Sequence, residues 1–120
     1  MIKVNIFISH INLRLGYEIS GHAEYGPRGE DIVCAAVSVL GYTTLNSILE
    51  VAGIDENQMS VAIDDAKGYM KVLVDEKIIE DPGKRDVQII LNTLAIGIET
   101  IKESYPKYIT IEYRGGGTHV

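Results

Sequence analysis

The feature that most constrains this chain is the order in which its apolar residues change period. Ile2, Val4, Ile6 and Ile8 alternate with Lys3, Asn5 and Ser9, with Phe7 as the one exception, and the alternation resumes at Leu13, Leu15, Tyr17 and Ile19. Successive side chains of an extended chain point to opposite faces, so each run reads as a half-buried strand, with His10, Ile11 and Asn12 as the turn between them. From about Ile32 the spacing lengthens to that of a helix, with Val33, Val37, Leu40, Ile48 and Val51 on its inner side. Asp31 stands where an N-cap belongs and Gly53 where a C-terminal cap belongs, while Gly41 and the pair Thr43 and Thr44 weaken the middle. Strand alternation returns over Met59 to Ile63 and Tyr69 to Val74, around the loop Asp64 to Gly68. Past a polar stretch at Asp81, Pro82 and Gly83, a second helical stripe runs through Val87, Ile90, Leu91, Leu94, Ile98 and Ile101 until Pro106. Tyr108 to Arg114 alternates once more, with Ile109, Ile111 and Tyr113 on one side.

The resulting order is ββα-ββα-β. The economical way to bury so many half-apolar elements is an α+β fold, a mostly antiparallel sheet of about five strands with two helices packed on it. At 120 residues the chain has room for one such core and no linker long enough to separate two. A single domain over residues 1–114 is expected, with residues 115–120, "GGGTHV", as a flexible tail.

Charge and cysteine usage narrow the function classes. Eleven Lys and Arg against 17 Asp and Glu give a net charge of −6, which repels phosphate backbone and suits a basic protein partner. No direct nucleic-acid partner is expected. One cysteine makes no intramolecular disulfide, and Asn5, Ser9, His10 and Asn12 interrupt any apolar leader, so the expected compartment is the cytoplasm. No stretch is expected to span or bind a membrane.

That single cysteine, Cys34, stands in the string "SGHAEYGPRGEDIVCAAVSVLG". With Asp31 as cap it falls in the first helical turn, where unpaired backbone amides favour a thiolate. His22 ends the second strand, and the glycine-rich segment between them is long enough to fold back and bring its imidazole near the sulfur. A histidine beside such a sulfur serves as general base and later protonates the leaving amine. Ser38 lies one turn further along the same helix face, and amides at the helix start are placed to stabilise an oxyanion. The residues alone leave a second role open, because "IVCAAV" is core-like and free cysteine is among the most buried residue types. Asp31 likewise has two candidate roles, helix cap or orienting group for His22. His10, His22, Cys34 and His119 show no ligand spacing, so neither metal nor cofactor is expected.

The string as a whole resembles the signature of the ribosomal-processing cysteine protease family, Prp. Gly21, His22, Ala23, Gly26, Gly29, Asp31, Cys34, Ala35 and Ser38 all fall in its pattern, and "AIGIETIKESYPKYITIEY" is similar to the family's C-terminal part. The resemblance implies a small homodimeric protein that removes a short N-terminal extension from a large-subunit ribosomal protein. It implies Cys34 as nucleophile and His22 as its base. Gly21, Gly26, Gly29, Asp31 and Ser38 are then supporting residues, and Gly21 to Gly29 a mobile loop that orders over the substrate. The alternative of another class is a non-catalytic ribosome-associated module that binds a basic protein.

Overall fold

Alternation at Val4 and Ile6, and again at Tyr17 and Ile19, becomes an antiparallel hairpin of β1 (Ile2–Ile8) and β2 (Arg14–Ser20), with Val4 opposite Ile19 and Ile6 opposite Tyr17. The computed structural model describes residues 1–27 and 31–115. The hairpin turn is held by Ser9, whose Oγ accepts from the amides of Ile11 and Leu13, with Asn12 in the left-handed region at φ 65°. Phe7 pairs with Gly16 but Ile8 with Arg14, so Leu15 is the extra residue of a bulge. Phe7 is the last β1 residue before the shift. Its ring lies on the opposite face from Ile6, fully buried, with the Lys71 ammonium 5.3 Å from the ring centre.

The sheet continues through α1 (Ile32–Glu50), β3 (Met59–Asp64), β4 (Tyr69–Val74), α2 (Glu76–Ile79), α3 (Asp86–Ser104) and β5 (Ile109–Gly115). Its order is β3-β4-β2-β1-β5, with every neighbouring pair antiparallel except β1 and β5, which run parallel. The expected mostly antiparallel α+β fold is therefore the observed one. Between β4 and α3 stands the short α2, just ahead of the expected polar stretch at Asp81, Pro82 and Gly83. A four-residue helix shows no period, and buried Ile79 is its one anchor.

The core lies between one sheet face and the two long helices. Val4, Ile6, Tyr17 and Val72 meet Val33, Val37 and Ile48 of α1 and Val87, Leu91, Leu94 and Ile98 of α3, all essentially inaccessible to solvent. Two of the expected α1 positions differ: Leu40 is half-buried and Val51, at the C-cap, is exposed. Gly41 is not a weak point. A Cβ there would sit 3.0 Å from both Ile19 Cδ1 and Met70 Sδ, so its bareness lets helix and sheet approach, and the buried Tyr17 hydroxyl donates to its carbonyl at 2.7 Å. The expectation that no stretch reaches membrane-spanning length is corrected by α1, which is long and apolar enough by length and composition. Here one side of it packs on the sheet and on α3. Closure at the far side comes from Gln88 of α3, whose amide both accepts from Arg14 N and donates to Arg14 O at 2.7 Å.

β5 runs through Gly115, one residue past the expected domain end. Of the expected tail, residues 116–120 lie outside the described residues, as does Gly29.

Candidate active site

Asp31 organises the site. Its backbone is extended, so its Oδ1 accepts from Val33 N and Cys34 N, each at 3.0 Å, and caps α1. Its Oδ2 reaches the other way and accepts from Tyr25 N at 2.9 Å and Gly26 N at 3.3 Å. One carboxylate thus joins the helix start to the loop that precedes it. Burial works against the charge, but the amides of Cys34, Gly26, Tyr25 and Val33 together outweigh it and hold the carboxyl below its ordinary 3.8. With four backbone donors on its two oxygens, Asp31 both caps the helix and clamps the loop.

Cys34 follows in the first turn of α1, half-buried and unpaired in any disulfide. Its Sγ accepts from Ala23 N at 3.2 Å. The same loop residue therefore places a donor on the sulfur while its neighbours bind the cap. The first-turn amides expected to stabilise an oxyanion are otherwise engaged: Val33 and Cys34 donate to the Asp31 side chain and Ala35 to the Asp31 carbonyl at 3.0 Å.

The loop is fastened along its first half. Glu24 occupies the left-handed region at φ 59°, which turns the Tyr25 and Gly26 amides towards Asp31. Ala23 is buried, and the Tyr25 ring stands edge-on to Tyr105 and Tyr108 at 5.3 and 5.2 Å. The expectation of a mobile segment from Gly21 to Gly29 therefore meets a definite set of contacts over residues 21–26.

Helix start, loop and the β3–β4 turn enclose a cleft of about 520 Å³. Gly21, His22, Gly26, Asp31, Cys34 and Ser38, every predicted site residue that is described, line it together. Ile2, Ile19, Val37 and Met70 supply its apolar surface. Glu24 and Asp65 bring carboxylates to it. Tyr42 and Tyr69 complete the wall, and neither was singled out from the sequence. The Tyr42 hydroxyl donates to Asp65 Oδ1 at 2.7 Å, and that bond, helped by burial, raises the phenol above its ordinary 10.0. Tyr69 donates to Glu18 Oε2 at 2.7 Å, and burial together with that carboxylate pushes its phenol up to about 12.

Among the described residues one group could hold a cation: His10, Glu76 and Glu80, whose ligand atoms lie within 4.8 Å of one another. It sits at the hairpin-turn end of the sheet, the length of a strand away from Cys34.

Comparison with known proteins agrees with the arrangement. Residues 1–110 match the family model of cysteine protease Prp. The ribosomal processing cysteine protease Prp of Staphylococcus aureus is 28% identical over 114 residues, covering 95% of this chain and all of its own. The Bacillus subtilis protein of the same name is 29% identical over 106 residues, 88% of this chain and 90% of that one. The crystal structure of the S. aureus protease with a covalently linked product peptide superposes with a TM-score of 0.79 at 27% identity, over 95% of this chain and all of that one. A match that runs through both helices and into the last strand leaves no element of the core outside it. The chain belongs to the cysteine protease Prp family.

Proposed function

We propose that this protease uses a Cys34–His22 dyad to remove the N-terminal extension of a large-subunit ribosomal protein. The observation that supports it most is that the only cysteine of the chain, in the first turn of a capped helix, faces the same cleft as the imidazole of His22. The relatives' names specify ribosomal processing, and the S. aureus structure carries a covalently linked product peptide.

In this reading the Ala23 N–H steadies the sulfur as an anion. The sulfur attacks the scissile carbonyl carbon, forming a thioester through a tetrahedral intermediate. His22, holding the proton it took from the Cys34 thiol, gives it to the leaving amine. A water molecule, deprotonated by His22, then hydrolyses the thioester and returns the thiol. Gly21 and Gly26 shape the loop, Ser38 lines the cleft one turn beyond the sulfur, and Asp31 keeps helix start and loop in register. A net charge of −6, with Glu24 and Asp65 on the cleft, suits a basic ribosomal substrate, and that substrate places the reaction in the cytoplasm.

Cys34→Ser and His22→Ala are each expected to abolish cleavage of the extended ribosomal protein while leaving the melting curve unchanged. Full activity in either variant would remove the dyad. The same reading gives a homodimer, for which exposed Ile89 and Ile96 on the outer side of α3 are the candidate contact. Sedimentation is expected to return twice the chain mass, and a lower mass for Ile96→Asp.

A further inference from the structure

The turn between β3 and β4 carries a residue whose position bears on His22 and that neither the motif nor the family match singles out. We propose that Gly68 is a positioning residue for the His22 imidazole, an inference that rests on the dyad reading above. Three observations meet at this one glycine. Its backbone is in the left-handed region at φ 63°, closing the 3-10 turn that follows β3. Its carbonyl accepts from Gly21 N at 3.0 Å, which fixes the backbone immediately before His22. A Cβ built on it would lie 2.9 Å from His22 Cε1, 3.2 Å from His22 Nε2 and 2.6 Å from Gly21 O. The bare Cα of Gly68 is thus a seat against which the imidazole edge rests.

The seat is itself anchored. Asp64 Oδ1 accepts from Lys67 N at 3.2 Å and rigidifies the turn. Asp65, its neighbour, accepts the Tyr42 hydroxyl of α1 at 2.7 Å. Tyr42 is two turns beyond Cys34 on the same helix. The turn that seats the base is therefore tied to the helix that carries the nucleophile, and a side chain at Gly68 would push His22 away from that frame. Atomic misplacement of a base by about 1 Å is enough to lower a chemical step roughly a hundredfold.

The test is Gly68→Asn. Asparagine accepts left-handed backbone better than other side chains, so this variant adds a Cβ while sparing the turn. It is expected to melt as a folded protein and to lower kcat for the extended ribosomal protein roughly tenfold to a hundredfold, with KM within about threefold. The pH–rate profile of Cys34 alkylation by iodoacetamide is expected to move towards that of His22→Ala, a readout that loose packing alone would not shift. In the His22→Ala background, Gly68→Asn is expected to add no further change to that profile. A folded Gly68→Asn with the parent kcat and profile overturns the inference. So does an effect as large without His22 as with it. Should the variant not fold, the unsubstituted protein decides. A nuclear Overhauser contact between His22 Hε1 and the Gly68 Hα protons is expected, and its absence rejects the seat. If His22→Ala stays active, the dyad falls and the inference with it. If only Gly68→Asn stays active, the dyad stands and Gly68 has no part in it.

Discussion

At the scale of single residues, Asp31 has the widest reach. Its two oxygens engage the amides on both sides of the Cys34 turn. Asp31→Ala removes an N-cap and releases the loop, so a loss of about 1–2 kcal/mol in unfolding free energy is expected. The carboxyl is held below its ordinary value in the folded chain, so its stabilising effect is present above about pH 3.8. It is lost as pH falls from there through the lower folded value. The gap in melting temperature between parent and Asp31→Ala should therefore be constant near neutrality and close only in acid. A gap that closes above pH 5 would refute the four-amide account. The cap, the cysteine and the histidine were legible in the sequence because each speaks through local chemistry: a short acid before an apolar helix, a thiol three residues on, an imidazole at a strand end. Gly68, Tyr42 and Asp65 were not. Their relation to His22 and Cys34 is made by folding a distant hairpin onto the helix start, and no spacing in the chain records it.

At the scale of elements, strands were legible wherever buried and less buried residues alternate, which holds for β4 and for β1 up to Ile6, whereas Leu15, Gly16 and Tyr17 of β2 are buried in succession. β3 is different. It is the edge of the sheet, and Val61 and Ile63 remain exposed despite their alternation. Strand order and the parallel pairing of β5 with β1 were beyond reach, because alternation reports a face and not a neighbour. Gly41 in α1 misled for the opposite reason: a low-propensity residue was placed where helix and sheet come closest, and packing overrides propensity there. The same logic gives the sharpest prediction for the sheet. A Cβ on Gly16 would run into the Val72 carbonyl oxygen of β4. Gly16→Ala must therefore push β2 and β4 apart, at a cost of about 3 kcal/mol. Chemical denaturation would measure it, and a loss below about 0.5 kcal/mol would contradict the register of those strands.

At the scale of the whole molecule, the sheet works as a spacer between two ends. One end carries the β1–β2 turn with exposed His10 and Glu80 and half-buried Glu76. At the other, the β2 exit, the β3–β4 turn and the start of α1 converge on the cleft. That convergence follows from the topology: β2 must end beside Tyr69 for Gly21 to reach Gly68, and α1 must start just beyond the loop for Ala23 to reach the sulfur. In the proposed reading, the net charge of −6 and the carboxylates of Glu24 and Asp65 on the cleft suit a basic substrate. The central claim is that this convergence cuts a ribosomal protein through Cys34. The most direct test is mass spectrometry of the N-terminally extended large-subunit protein after incubation with this chain and, in parallel, with Cys34→Ala. A single cut near the extension boundary, present with the parent and absent with the variant, is the predicted result. Equal cutting by Cys34→Ala, or an intact substrate with a folded parent, would contradict it.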